Sequence, residues 1–120
     1  VSCTSAFSQK AAAAAIQGPQ DSVKMMLDEF KERSKIVVDG FNAINGISCI
    51  QPKGAFYAFP NIKNTGYKSQ DLSDALLNQG VAVLPGTSFG KFGEGYLRIS
   101  FANSRDNLKK ALNIIKEFLG

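Results

Sequence analysis

Apolar side chains recur every three or four positions in the first half of the chain, which predicts a long amphipathic helix. It begins at Pro19 or Asp21, ends at Asn45-Gly46, and carries its apolar residues on one face: Val23, Met26, Leu27, Phe30, Val37, Phe41 and Ile44. An alanine-rich helix over 4–17, with Ser5 as its N-cap, comes before it. Because a glycine and a proline follow position 17, we expect two helices rather than one.

Two shorter helices are predicted in the second half. One covers 70–79 and is preceded by Ser69, whose hydroxyl can cap its first turn. The other follows the N-cap Ser104, and its apolar residues recur on one face: Leu108, Ala111, Leu112, Ile115 and Leu119. Each helix should therefore bury one face against a common core.

Short apolar segments bounded by turn residues predict strands over 47–50, 55–59, 80–86 and 96–102. Side chains alternate along a strand, so one face of the last strand is apolar: Leu97, Ile99 and Phe101. Its other face is mixed: Tyr96, Arg98, Ser100 and Ala102. Helices and strands that alternate along a chain of this length predict one α/β unit.

An arginine in the middle of a strand, on a face that also carries a phenol and a hydroxyl, suits the binding of a planar anion. The guanidinium of Arg98 is a rigid fork of donors that matches both oxygens of a carboxylate and stays charged at any working pH. The alternative is that Arg98 pairs with a carboxylate of the protein itself or points into solvent. Spacing alone leaves both interpretations open.

Three aromatic side chains lie on the strand predicted over 55–59. Alternation places Tyr57 and Phe59 on one face and Phe56 on the other. We expect Phe56 to share the face of Arg98, where it could form the wall of a pocket. For all three aromatic residues, an ordinary place in the core is the alternative.

The composition argues against several kinds of site. The 120 residues include no histidine, and Cys3 and Cys49 lack the close spacing of metal ligands, so neither histidine-dependent catalysis nor a zinc site is expected. The formal net charge of +4 comes from basic residues spread along the chain, which argues against a nucleic-acid partner. Because the chain has neither an apolar run of membrane-spanning length nor a secretory signal, we expect a cytoplasmic protein without a membrane partner.

Four blocks are informative by their order and spacing: GAFYAFP over 54–60, GVAVLPG over 80–86, FG over 89–90 and GEGYLRISFA over 93–102. Further short matches lie upstream: Thr4-Ser5, Gln9, Ala11-Ala12 and Gly18-Pro19-Gln20-Asp21. Together they resemble the C-terminal part of the class I/II, fold-type-one aminotransferases that depend on pyridoxal phosphate. The resemblance covers essentially the whole chain and is greatest to the aspartate aminotransferase-like branch.

The resemblance implies a two-layer α/β fold, the small domain of an aminotransferase. It has a small mixed, largely antiparallel sheet with helices packed on one face. Residues 1–18 would be a helix at the end of the large domain, 19–46 the long domain-linking helix, and 47–120 the small C-terminal domain.

The resemblance also implies two substrate-binding residues. Arg98 would bind the substrate's α-carboxylate and Phe56 would line the entrance to the site, with Tyr96 and Ser100 as neighbours able to orient the guanidinium. It assigns no catalytic, cofactor-binding or metal-binding residue to this chain.

In the family, the lysine that bonds the cofactor precedes a Gly-x-Arg-x-Gly block, which this sequence lacks. We therefore expect the chain to be part of a longer transaminase, and to be inactive and free of pyridoxal phosphate by itself. The parent would bind pyridoxal phosphate, transfer an amino group from an amino acid to a 2-oxo acid, and function as a homodimer.

Two other classes of protein are weighed against this one. An ACT-like regulatory module would also combine short strands with two helices, and it should bind an amino acid by itself. A single-stranded RNA binder could use Phe56, Tyr96 and Lys91 for stacking and charge, although the last strand matches the RNP1 pattern poorly. RNA binding that weakens with added salt would support the second class.

Overall fold

The computed structural model describes residues 2–120 as four helices and a small sheet. The helices are α1 Ala6–Gln17, α2 Asp21–Asn42, α3 Ser69–Asn78 and α4 Arg105–Leu119. The strands are β1 Tyr57–Ala58, β2 Leu84–Pro85 and β3 Leu97–Ser100, and short 3-10 turns cover Lys63–Thr65 and Gly86–Phe89. None of the helices in residues 2–120 combines the length and the apolar character that a membrane crossing requires.

The three strands form an antiparallel sheet in the order β1-β3-β2, with β3 in the centre. In the register, Tyr57 lies opposite Ser100, Ala58 opposite Ile99, and Leu84 opposite Arg98. The predicted α/β fold with a largely antiparallel sheet is confirmed. The parallel pairing that a mixed sheet would include does not occur among the strands that the structure describes.

One face of β3 forms the floor of the core. Leu97 and Ile99, with Phe101 just beyond the strand, are almost fully buried there, as their alternation predicts. Helices α2 and α4 cover that face with their own apolar stripes: Val37, Val38, Phe41, Leu108, Leu112 and Ile115. Burial of each such side chain contributes about 1.5 to 3 kcal/mol of hydrophobic free energy, so this layer is the main source of stability.

The outer strands are shorter than their apolar patterns predict. The strand expected over 47–50 is reduced to one bridge, between Ser48 and Asn61. The strand expected over 80–86 pairs with β3 only at its end, because backbone groups before Leu84 bond to α3 instead. The amide of Val81 donates to a carbonyl of that helix, and Ser73 donates its hydroxyl to the carbonyl of Val83.

The predicted helix caps are only partly confirmed. Ser104 caps α4, since its hydroxyl oxygen accepts a hydrogen bond from the amide of Asn107 at 3.2 Å. Ser5 occupies the N-cap position of α1, but its hydroxyl bonds to that of Ser8 rather than to the backbone. The prediction for Ser69 is wrong: it is the first residue of α3, after the cap position, and its hydroxyl bonds elsewhere.

Candidate anion-binding site around Arg98

Arg98 lies in the middle of β3 on the face opposite the core, as its alternation predicts, and its side chain is half-buried. Its guanidinium carbon is 4.4 Å from the ring centroid of Tyr57 and 3.9 Å from that of Phe89. Among residues 2–120, no carboxylate pairs with it and no acceptor hydrogen-bonds to it. The alternative of an ion pair within the described chain is therefore not observed.

A shallow cavity of about 230 Å³ lies beside the guanidinium. Apart from one hydroxyl and one phenol, its lining is aliphatic around a single charge: Tyr57, Ala82, Val83, Leu84, Arg98 and Ser100. Apolar walls lower the local dielectric, which strengthens a charge-assisted hydrogen bond from arginine to an anion. The cavity can thus hold a small carboxylate against the guanidinium.

Further aromatic rings extend this surface along the outer face of the sheet. Phe59 stacks on Tyr96 with ring centroids 5.3 Å apart, and it meets Phe89 edge-on at 6.3 Å. The ammonium of Lys63 lies 5.0 Å from the ring centroid of Tyr96. Tyr96 therefore packs on Phe59, whereas Tyr57 and Phe89 are the rings in contact with Arg98.

The expectation that Phe56 shares the face of Arg98 is wrong. The register places Ala58 opposite the core residue Ile99, so Tyr57 is the aromatic residue of β1 on the outer face. The Phe56 ring is 41% exposed, and its centroid lies 4.5 Å from that of Tyr57 and 6.3 Å from that of Phe30. Phe56 thus supports Tyr57 from the edge of the site, and its contact with a substrate stays a prediction.

Phe89 is the site residue that the sequence pattern does not reveal. It ends the 3-10 turn Gly86–Phe89, within a loop that has no apolar periodicity. Gly86 and Gly93 bring this loop into position because their backbones are in direct contact: a Cβ on either would collide with the carbonyl oxygen of the other. Only the folded loop therefore places the Phe89 ring over Arg98.

Ser100 lines the cavity but does not hold the guanidinium. Its hydroxyl oxygen accepts a hydrogen bond from the amide of Ala102 at 3.2 Å. The earlier expectation that Tyr96 and Ser100 orient Arg98 is therefore not supported by their contacts.

Glu94 is the acidic residue of the glycine-rich loop, and its contacts are structural. Its carboxylate accepts hydrogen bonds from the backbone and hydroxyl of Ser69 and from the amide of Gly95. These bonds hold the pKa of Glu94 below its ordinary value, and the bond from the Ser69 amide has the largest effect. Glu94 is therefore an ionised anchor between α3 and β3 and is unsuited to carry a proton near neutral pH.

Comparison with known proteins places this geometry in a family. The sequence model of "Aminotransferase class I and II" matches residues 1–115. The chain is 44% identical over 120 residues to a probable N-acetyl-LL-diaminopimelate aminotransferase of Bacillus subtilis, covering 99% of this chain and 30% of that protein. It is 48% identical over 99 residues to an aspartate aminotransferase of Pyrococcus horikoshii, covering 82% of this chain and 25% of that protein.

Solved structures agree with the sequence relatives. The crystal structure of an aromatic aminotransferase from Pyrococcus horikoshii matches with a TM-score of 0.91 and 40% identity, over 98% of this chain and 32% of that one. The aspartate aminotransferase of Rhizobium meliloti matches with a TM-score of 0.89 and 38% identity, over 99% of this chain and 32% of that one. The chain thus spans about a third of these structures. Because the family match covers the first three helices, the strand that bears Arg98 and most of α4, this chain belongs to the class I and II aminotransferases.

Proposed function

We propose that this chain is the C-terminal part of a pyridoxal-phosphate-dependent aminotransferase of the aspartate aminotransferase-like branch. The whole protein would be a cytoplasmic homodimer that moves an amino group from an amino acid to a 2-oxo acid. Relatives with these activities in their names, and the quarter to a third of their length that the chain spans, support the proposal. In that protein, 1–18 would end the large domain, 19–46 would link the domains, and 47–120 would form the small domain.

The role proposed for Arg98 is to bind the α-carboxylate of the substrate. The observation that carries it is the guanidinium itself. It is a half-buried charge that lies over two rings and beside a cavity, and it has no carboxylate partner among residues 2–120. A bidentate carboxylate would satisfy the donors on its edge. Phe56, at the edge of the site, would line the entrance through its contact with Tyr57.

The residues that line the cavity beside Arg98 do not make a site for pyridoxal phosphate. The cofactor needs a lysine to bond it and donors for its phosphate, whereas no lysine lines the cavity and Arg98 is its only cation. The rest of the protein would supply that site, and the contribution of this chain is to bind and orient the substrate. We therefore expect the isolated chain to be inactive; a stoichiometric lysine adduct with pyridoxal phosphate, seen by mass spectrometry after borohydride reduction, would contradict this.

The two alternatives have less support. The similar proteins described above are aminotransferases, and none is a regulatory module of the ACT type. An RNA-binding role would need Phe56 and Tyr96 free for stacking, yet Tyr96 is already stacked on Phe59.

The test uses the full-length protein that contains this chain. Arg98→Lys keeps the charge and loses the fork, so kcat/KM for the best of the twenty common amino acids should fall at least about tenfold, and further in Arg98→Ala. Arg33→Lys is a matched control, because Arg33 is another part-buried arginine over a ring but lies on α2. Its kcat/KM should stay within about twofold of the wild type.

Cofactor absorbance and melting temperature are measured for each variant, because a loss of activity that tracks unfolding would not concern the substrate. Wild-type kcat/KM in a folded Arg98→Ala protein would remove Arg98 from the site.

A further inference from the structure

We propose that Tyr57 and Phe89 are positioning residues that hold the guanidinium of Arg98 so that its edge is presented to a carboxylate. This inference rests on the proposed role of Arg98 and adds two residues to it. Both rings contact the guanidinium, at 4.4 Å and 3.9 Å from its carbon to their centroids, and they come from two different elements of the fold.

The chemistry of arginine explains why rings are suited to this task. A guanidinium is planar, its flat faces attract aromatic rings, and its N–H donors all point outward in the plane. Rings that occupy the faces therefore fix the plane without using a donor. A carboxylate can then meet two donors at once, and the long side chain loses little further freedom when it binds.

Each ring has contacts of its own besides the one with Arg98. Tyr57 is held by the pairing of β1 with β3 and by the Phe56 ring at 4.5 Å. Phe89 is held by the contact between Gly86 and Gly93 and by the edge of Phe59 at 6.3 Å. The rings are thus a preformed frame into which the arginine fits.

The two rings could instead act without Arg98, by touching the substrate themselves or by stabilising the fold. These roles differ from positioning in a measurable way. A ring that acts through Arg98 loses its effect once the fork of Arg98 is gone, whereas a ring that touches substrate or only packs keeps it.

The experiment uses the full-length protein and the amino acid that gives the highest kcat/KM among the twenty common ones. Phe89→Leu removes the ring and keeps apolar bulk; it should raise KM about 2- to 30-fold with kcat nearly unchanged, the range expected for a cation–π contact. Phe89→Tyr restores a ring and should restore KM. Tyr57→Leu and Tyr57→Phe form the same pair for the second ring.

Each leucine variant is then combined with Arg98→Lys. We expect the KM of Phe89→Leu/Arg98→Lys to equal that of Arg98→Lys alone, within about twofold, and crystal structures of Phe89→Leu to show Arg98 in more than one rotamer. Full additivity of the two changes, or an unchanged KM in folded Phe89→Leu and Tyr57→Leu proteins, would overturn the inference. The proposed function fails separately, when Arg98→Ala itself leaves kcat/KM unchanged.

Discussion

Glu94 accepts hydrogen bonds from both the backbone amide and the hydroxyl of Ser69, at 2.9 and 3.1 Å, although the two residues are 25 positions apart. The Ser69 hydroxyl oxygen in turn accepts from the amides of Gly95 and Tyr96, at 2.9 and 3.2 Å. This network ties the start of α3 to the start of β3. It also closes the end of the loop that carries Phe89, so it supports the site without touching it.

The network predicts a pH-dependent loss of stability in Glu94→Gln. Because the folded pKa of Glu94 lies below its ordinary value of 4.5, the ionised carboxylate stabilises the folded protein above that pH. The contribution is lost as the pH falls through the lowered pKa. The melting temperature of Glu94→Gln should thus be below that of the wild type at pH 7, and the difference should shrink in acid. A difference that stays constant from pH 7 down to pH 2 would contradict the prediction.

We expect a second acid-sensitive contact between α2 and α4, at Glu29. Its carboxylate accepts hydrogen bonds from Arg105 and Arg33, which lower its pKa from 4.5 to about 2. The ionised Glu29 carboxylate stabilises the folded protein above pH 4.5, and this contribution is lost as the pH falls from 4.5 to about 2. The melting temperature of Glu29→Gln should therefore be below that of the wild type at pH 7, and the difference should disappear over that interval. Asp28→Asn is the control: Asp28 pairs with Lys31 in solvent, where an ion pair contributes little. Equal effects of the two changes would contradict the prediction.

Gly86→Ala should disturb the loop that places Phe89. A Cβ there would collide with the carbonyl oxygen of Gly93 and lie 2.8 Å from that of Tyr96, and backbone atoms cannot move aside as a flexible side chain can. We expect a loss of about 1 to 3 kcal/mol in the free energy of unfolding, measured by urea denaturation. Gly54→Ala is the matched control, since nothing lies within 4 Å of its Cβ position, and it should change stability by less than about 0.5 kcal/mol.

Helix α1 should be the least stable helix when this chain is studied by itself. It buries no residue, and its large apolar side chains Phe7 and Ile16 are each 79% exposed. Isolated helices of 12 residues are marginal in water. In hydrogen exchange, its amides should therefore exchange much faster than those of α4, which packs on the core. Protection of α1 equal to that of α4 in a monomer would contradict this.

Helical periodicity and strand alternation were enough to predict the buried faces of α4 and β3 and the side of the sheet on which Arg98 lies. The periodicity of α4, with its Ser104 cap, and the alternation of Leu97, Ile99 and Phe101 are properties of neighbouring residues, and the structure confirms them. Because alternation needs no partner strand, it also placed Arg98 on the outer face correctly. The family followed from blocks of sequence and needed no coordinates.

The surroundings of Arg98 depended on contacts between distant parts of the chain. The register of β1 against β3 decided that Tyr57 rather than Phe56 faces the guanidinium, because a shift of one residue moves every side chain to the other face. The segment before Leu84 stays out of the sheet because it forms hydrogen bonds to α3 instead. The sequence by itself therefore determined the helices, the buried faces of α4 and β3, and the position of the arginine. It did not determine the whole buried face of α2, because Val23, Met26 and Leu27 of the predicted stripe are more than half exposed. Tertiary structure decided which rings hold the arginine, since the backbone contact between Gly86 and Gly93 that brings in Phe89 exists only in the folded chain.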